Sequence, residues 1–322
     1  MKIAFFDSGI GGLSVLAEAL GRFSGAEFLY FADEDHVPYG TKSRAQIVQL
    51  SLDAVGFLVS RGADAVVVAC NTATSAAISE LRGAFSVPVI GMEPAVKLAA
   101  DSFGTRPTLL IATPLTIAGE KLARLVGRLE CETWSLALPR LVKFAQELEF
   151  DSPAVWAYLR EELAKFELER LGSLVLGCTH FNYFKDVLRE ILPSHVRIID
   201  GIDGTLNRLA SELGGGLKLA CGEDFSELAC KFDAEELDAG GGQNARGKSR
   251  QCDGSDESAR SEQGKKGGDE QGAEEYDGNS GKIYYPNCNS VEYFYSGRAL
   301  DAAQLHKIEV FLKRLDAMRE IN

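Results

Sequence analysis

Val66-Val67-Val68-Ala69-Cys70-Asn71-Thr72-Ala73-Thr74 is the stretch on which the fold turns. Three consecutive valines run straight into a thiol, an amide and hydroxyls. A short apolar run of this kind predicts a buried parallel strand. The residues from Thr72 to Leu81 then read as the start of a helix. Polar side chains at the carboxyl end of a strand, before a helix N-terminus, stand where open α/β sheets bind ligands. The design returns in Leu174-Val175-Leu176-Gly177-Cys178-Thr179-His180-Phe181, again an apolar run, then Cys, then Thr. Two cysteines on two similar strand ends require one explanation.

Working outward, apolar strands alternate with helical patterns. Lys2 to Phe6 predicts a first strand, and Asp7-Ser8-Gly9-Ile10-Gly11-Gly12-Leu13-Ser14 a glycine-rich turn. The spacing of these glycines is not G-x-G-x-x-G, so a nucleotide is not implied. A helix over 15–23, a strand over 27–31 and a long polar loop through Pro38-Tyr39-Gly40 follow. Loops of that length in compact domains tend to be functional. The helix expected over 44–61 leads into the first cysteine strand, then a short strand at 87–91 and a helix over 95–102. A second series starts at Thr108 with a strand that ends in Thr113 and Thr116. It continues with a helix over 117–127, a strand over 133–138, and helices over 139–150 and 153–170. The second cysteine strand, a short strand at 197–201 and a helix over 202–213 complete it. Such alternation predicts parallel sheets. The order of hydroxyl-tipped and cysteine-tipped strands suggests a duplicated α/β unit with a cleft between the copies.

Residues 240–281 are Gly, Ser, Gln and charge with almost no apolar side chain. They cannot bury enough surface to offset ordering entropy, so a disordered insertion is expected. A strand over 291–297 and a helix over 300–318 then resume the fold. The net charge of −13 argues against general binding to nucleic acid or to an anionic membrane. The opening residues reach Asp7 before an apolar leader core forms, and no stretch approaches the roughly 18 apolar residues of a membrane span. Seven cysteines without a CxxC pair suit reduced thiols in the cytoplasm.

Thiolates act as nucleophiles, metal ligands, redox partners or bases. Cys178 and His180 form a single close pair, and Cys70 has no histidine nearby in sequence, so no metal is expected. A nucleophilic Cys178 with His180 leaves Cys70 unexplained. Two inert core thiols leave the polar residues after each one unexplained. One chemistry uses two matched thiols and no cofactor: one takes a proton from one face of a carbon acid, and the other delivers a proton to the opposite face. Asp7 is placed to serve Cys70, and His180 and Glu147 to serve Cys178. Thr, Asn and Ser donors at the strand tips are placed to hold carboxylates and developing enolate charge.

These segments, together with Val37-Pro38-Tyr39-Gly40-Thr41-Lys42-Ser43 and Ile90-Gly91-Met92-Glu93-Pro94, resemble the glutamate racemase family of the aspartate/glutamate racemase superfamily. The resemblance implies a cofactor-independent isomerase that makes D-glutamate for peptidoglycan, and so serves cell-wall biogenesis and cell shape. It implies Cys70 and Cys178 as the acid/base thiols, assisted by Asp7, His180 and Glu147. Ser8, Tyr39, Gly40, Asn71, Thr72, Thr116 and Thr179, with Asp7 and His180, would hold the substrate. The implied fold is α/β, with two pseudo-symmetric α/β domains built on parallel sheets and the active site in the cleft between them. The expected division is 1–96 with 208–322 as a discontinuous first domain, and 97–207 as the second. A homodimer is implied, with glutamate as ligand and, by family resemblance alone, DNA gyrase as a further partner. Asp35-His36 stands where the family often has Ala-Arg, and Leu138-Pro139 where it has Cys-Pro. Alternatives are a racemase for aspartate or another acidic amino acid, or a non-catalytic regulatory protein on the same fold.

Overall fold

The apolar runs of the first hundred residues line up side by side. In chain order, β1 (Lys2–Asp7) leads to α1 (Leu13–Arg22), β2 (Phe23–Ser24) and β3 (Glu27–Ala32). A 3-10 turn at Tyr39–Thr41 precedes α2 (Arg44–Ser60), β4 (Ala65–Val68), α3 (Asn71–Ala84), β5 (Val89–Gly91) and α4 (Ala95–Phe103). The second series is β6 (Thr108–Ala112), α5 (Pro114–Ile117), α6 (Glu120–Val126), β7 (Thr133–Ala137), α7 (Pro139–Gln146) and α8 (Pro153–Leu163). It continues with β8 (Ser173–Gly177), α9 (Lys185–Ile191), β9 (Arg197–Ile199) and α10 (Ile202–Leu213). Then come β10 (Lys218–Leu219), β11 (Tyr276–Asp277), β12 (Lys282–Tyr284), β13 (Ser290–Tyr295), β14 (Arg298–Ala299) and α11 (Ala302–Met318). This computed structural model describes residues 1–92, 95–103, 105–214, 217–219, 276–277, 282–284 and 289–318.

The larger sheet runs β11-β12-β13-β3-β1-β4-β5, with β14 paired to β13. From β13 to β5 its neighbours are parallel, while β11, β12 and β14 pair antiparallel. The sheet is therefore mixed, not wholly parallel as expected, because its far edge is built from consecutive strands joined by short connections. The smaller sheet runs β7-β6-β8-β9 and is parallel throughout. In the first sheet the chain steps from β1 to β3 on one side, then crosses to β4 on the other. In the second it steps from β6 to β7, then crosses to β8. The two crevices so created, β1/β4 and β6/β8, are topological switch points, where α/β sheets open a site at their carboxyl ends. Asp7 ends β1, Cys70 follows β4, Thr113 follows β6 and Cys178 follows β8.

Three expected helices differ from those observed. The helix expected over 117–127 is split into α5 and α6, with Gly119 capping α6. A Cβ at Gly119 would press on Ser75 Oγ at 2.5 Å, so the break lies where the chain touches α3. The helix expected to reach residue 150 stops at Gln146, because Leu148 adopts φ 60°. The helix expected to reach 170 stops at Leu163, and Leu168–Arg170 forms a 3-10 turn. Within the expected insertion, Tyr276–Asp277 forms β11 against β12. The remainder of 240–281 and Glu93-Pro94 lie outside the described residues.

One apolar core joins both sheets, since Phe5 and Tyr30 of the first belong to the same cluster as Ile111 and Leu174 of the second. α11 seals it: Phe311 packs edge-on against Tyr183 at 4.6 Å and Phe150 at 5.4 Å. Among the described residues, no helix is long and apolar enough to cross a membrane.

Candidate active site

Cys70 leaves the end of β4 and caps α3. Its Sγ accepts a hydrogen bond from Ala73 N at 3.4 Å and donates to Ser8 Oγ at 3.3 Å. Ser8 stands just past β1, on the other side of the switch point. The helix N-terminus is favourable to negative charge on this sulfur.

Cys178 leaves β8 in the same way but meets different structure. The residues after it form a six-residue 3-10 turn, Thr179–Phe184, instead of an α-helix. His180 Nδ1 lies 3.9 Å from Cys178 Sγ. Tyr183 OH donates to Ile10 O at 3.2 Å, which pins the turn to the glycine-rich loop. Arg314 of α11 braces the turn, donating to Tyr183 O and with two bonds to Asp186.

Asp7 is fully buried and lies between the halves. Its Oδ1 accepts from Gly9 N at 2.8 Å and its Oδ2 from Thr179 Oγ1 at 3.1 Å. Burial outweighs these bonds and pushes its pKa up to about 7, within reach of neutral pH. Burial, then the charge of Asp7, lifts the Cys70 thiol to about 12. Burial, then the neighbouring Cys70, lifts Cys178 well above its usual value. Burial, then Lys307, pushes His180 down to about 3, so its imidazole is neutral. Burial therefore favours the protonated form of both thiols. An incoming cationic amine favours the thiolate.

The two cysteines open on one cavity of about 30 Å³. Ser8, Tyr39, Gly40 and Thr72 line it from the first series, and Thr179 and His180 from the second. Tyr39 OH is held by Asp33 Oδ2 at 2.6 Å. Thr72 Oγ1 lies 2.9 Å from Thr113 Oγ1, which lies 2.9 Å from Thr116 Oγ1, so a row of hydroxyls crosses between the halves. Asp7 stands behind the wall through Thr179. Asn71 and Thr116 instead line an adjoining cavity of about 180 Å³. Asn71 Oδ1 is buried without a hydrogen-bond partner among the described residues.

Glu147 is the one expected catalytic residue that the fold turns away. It falls just past α7, is half exposed, and pairs with Lys143 at 3.6 Å. Gln146, the last residue of α7, faces inward instead, with Nε2 2.9 Å from His180 Nε2. Sequence reasoning missed Gln146 because no residue type marked that helix end. It also passed over Thr113 as a site residue, although its threonine strand tip was a visible signal. Among the described residues no three His, Cys, Asp or Glu side chains converge as a metal site requires.

Residues 13–209 match the family model described as Asp/Glu/Hydantoin racemase. A glutamate racemase of Campylobacter concisus (strain 13826) is 62% identical over 218 residues, covering 66% of this chain and 83% of that protein. The chain belongs to the glutamate racemase family. A second family member, from Campylobacter curvus (strain 525.92), is 55% identical over 248 residues, covering 74% of this chain and 93% of its own length. Among solved structures, the Thermus thermophilus glutamate racemase superposes with a TM-score of 0.57 at 37% identity, covering 66% of this chain and 80% of that one. The two-cysteine cleft is thus set in a glutamate racemase fold.

Proposed function

We propose that Cys70 and Cys178 are the two proton-transfer thiols of this glutamate racemase, one for each face of Cα. The chain interconverts L- and D-glutamate without a cofactor. The observation that carries the assignment is that two buried thiols reach one cavity from the switch points of two sheets. As one thiolate takes the Cα proton, the other thiol gives its proton to the opposite face, and the roles exchange in reverse. Asp7, titrating near neutral pH, assists on the Cys70 side. His180 assists Cys178. Ser8, Tyr39, Gly40, Thr72 and Thr179 bind the substrate's polar groups, with Asn71 and Thr116 behind them. In the cell the product supplies D-glutamate for peptidoglycan, in the cytoplasm. We assign the division at 1–96 with 208–322, and 97–207, to the two domains that flank the cleft. A homodimer is the expected assembly, to be checked by sedimentation, and gyrase inhibition by a supercoiling assay.

The test is to incubate purified, dialysed protein with L-glutamate and follow optical rotation. Decay to a racemic mixture without added cofactor is expected. Unchanged rotation at substrate-level enzyme concentration would contradict the assignment.

A further inference from the structure

Four side chains from distant parts of the chain form a line behind Cys178. Glu34, in the loop after β3, accepts from Lys307 Nζ at 2.9 Å. Lys307, on α11, also donates to Gln146 Oε1 at 2.8 Å. Gln146 Nε2 lies 2.9 Å from His180 Nε2, and His180 Nδ1 faces Cys178 Sγ at 3.9 Å. The Glu34 side chain is 3% exposed, so its pair with Lys307 is largely shielded from water.

The chemistry of each group fixes the next. An ammonium only donates, so Gln146 must turn its carbonyl to Lys307 and its NH2 to His180. An NH2 only donates, so His180 Nε2 must accept. A neutral imidazole with Nε2 accepting carries its proton on Nδ1. Either alternative sets two donors against each other: a flipped Gln146 amide against Lys307, or an Nε2–H against Gln146. Burial beside Lys307 keeps the ring neutral. The glycine-rich loop is shaped to this line. A Cβ at Gly11 would overlap His180 Nδ1, and one at Gly9 would overlap Gln146 Nε2 and crowd Glu34 Oε1.

We propose that Gln146 and Lys307 are positioning residues that hold His180 as the Nδ1–H neutral tautomer, so that the ring presents a donor to Cys178. This deepens the racemase reading and rests on Cys178 being one of its two thiols. His180 then steadies the Cys178 thiolate by hydrogen bonding and does not itself take the thiol proton at Nδ1. Cys178 gains as a thiolate what Cys70 obtains from the N-terminus of α3.

The chain has only four histidines, so ring-nitrogen NMR of ¹⁵N-histidine-labelled protein resolves His180, assigned by its absence in His180→Asn. At pH 7, Nδ1 should show the protonated signature and Nε2 the unprotonated one. A protonated Nε2, alone or in an imidazolium, would overturn the proposal. The spectrum is read on the parent protein without turnover, and His180→Asn serves only to assign the signal, so it separates this inference from the racemase assignment. In Gln146→Leu the two tautomers should mix. Its kcat/KM should fall by roughly 10²-fold for both enantiomers alike, since their equilibrium constant is one. The primary deuterium isotope effect should rise for one enantiomer only, the one whose proton Cys178 takes. An isotope effect that rises for both, or for neither, would overturn it.

Discussion

Cys70 and Cys178 leave equivalent strand ends and arrive in different surroundings. Cys70 caps a 14-residue helix and shares its sulfur with a backbone N–H and Ser8. Cys178 enters a 3-10 turn and leans on an imidazole. Strand order places both thiols, because each follows a strand beside a switch point. It does not choose their helpers. Those come from whichever elements pack over each tip: β1 and its loop for Cys70, α7 and α11 for Cys178. The two faces of the reaction are therefore supported by unlike groups, and changes on the two sides should not have matching effects.

The largest effects should come from the thiols. Cys70→Ser and Cys178→Ser should each lower racemisation by roughly 10³-fold or more, because a serine hydroxyl is a far weaker acid. Each should keep slow Cα hydrogen exchange with one enantiomer only, read by mass spectrometry in deuterated water. Exchange with both enantiomers in either variant would erase the comparison.

Asp7 gives the next effect, in stability against pH. Its folded pKa of about 7 exceeds the ordinary carboxyl value of 3.8, so the protonated form is favoured on folding. The stability it contributes is full below about 3.8 and is lost as pH rises through about 7. The loss amounts to roughly 4 kcal/mol in the limit. Asp7→Asn should flatten the fall in urea-unfolding free energy between pH 5 and pH 8. Parallel pH curves for variant and parent would refute the assignment of that titration to Asp7.

Gly11→Ala tests the Cys178 side alone. Its methyl would displace His180, at a stability loss of about 1–3 kcal/mol. The primary isotope effect should rise for one enantiomer, as for Gln146→Leu. Glu147→Gln should do least, changing stability by about 0.5 kcal/mol or less and leaving kcat/KM unaltered, since it removes only an exposed pair with Lys143. A large loss of turnover in Glu147→Gln would restore that residue to the site.

Much of this arrangement was legible in the residues. The valines before Cys70 and the apolar run before Cys178 announced buried strands, and the polar residues beyond announced a site. The position of Glu147 was not legible. Helix ends are read from glycine or proline, and α7 ends at Gln146, two residues before Leu148, a leucine with φ 60°. The Glu147 assignment followed the family resemblance, across a stretch where Leu138-Pro139 departs from Cys-Pro, and the fold sets Gln146 beside His180 instead. Thr116 and Asn71 were assigned by the family resemblance, and both line the neighbouring cavity. Lys307 carried no local signal, because its role exists only once α11 packs across the molecule. The antiparallel edge of the larger sheet was equally hidden, since strand direction depends on which strands pair.

The central claim is that two thiols serve opposite faces of one carbon. It is tested most directly by early turnover of L-glutamate in deuterated water, with both enantiomers separated and weighed. The account predicts D-glutamate carrying deuterium at Cα from the first turnovers, while the remaining L-glutamate stays protiated. D-glutamate that retains the substrate's own proton would show one base working on both faces, and would contradict the account.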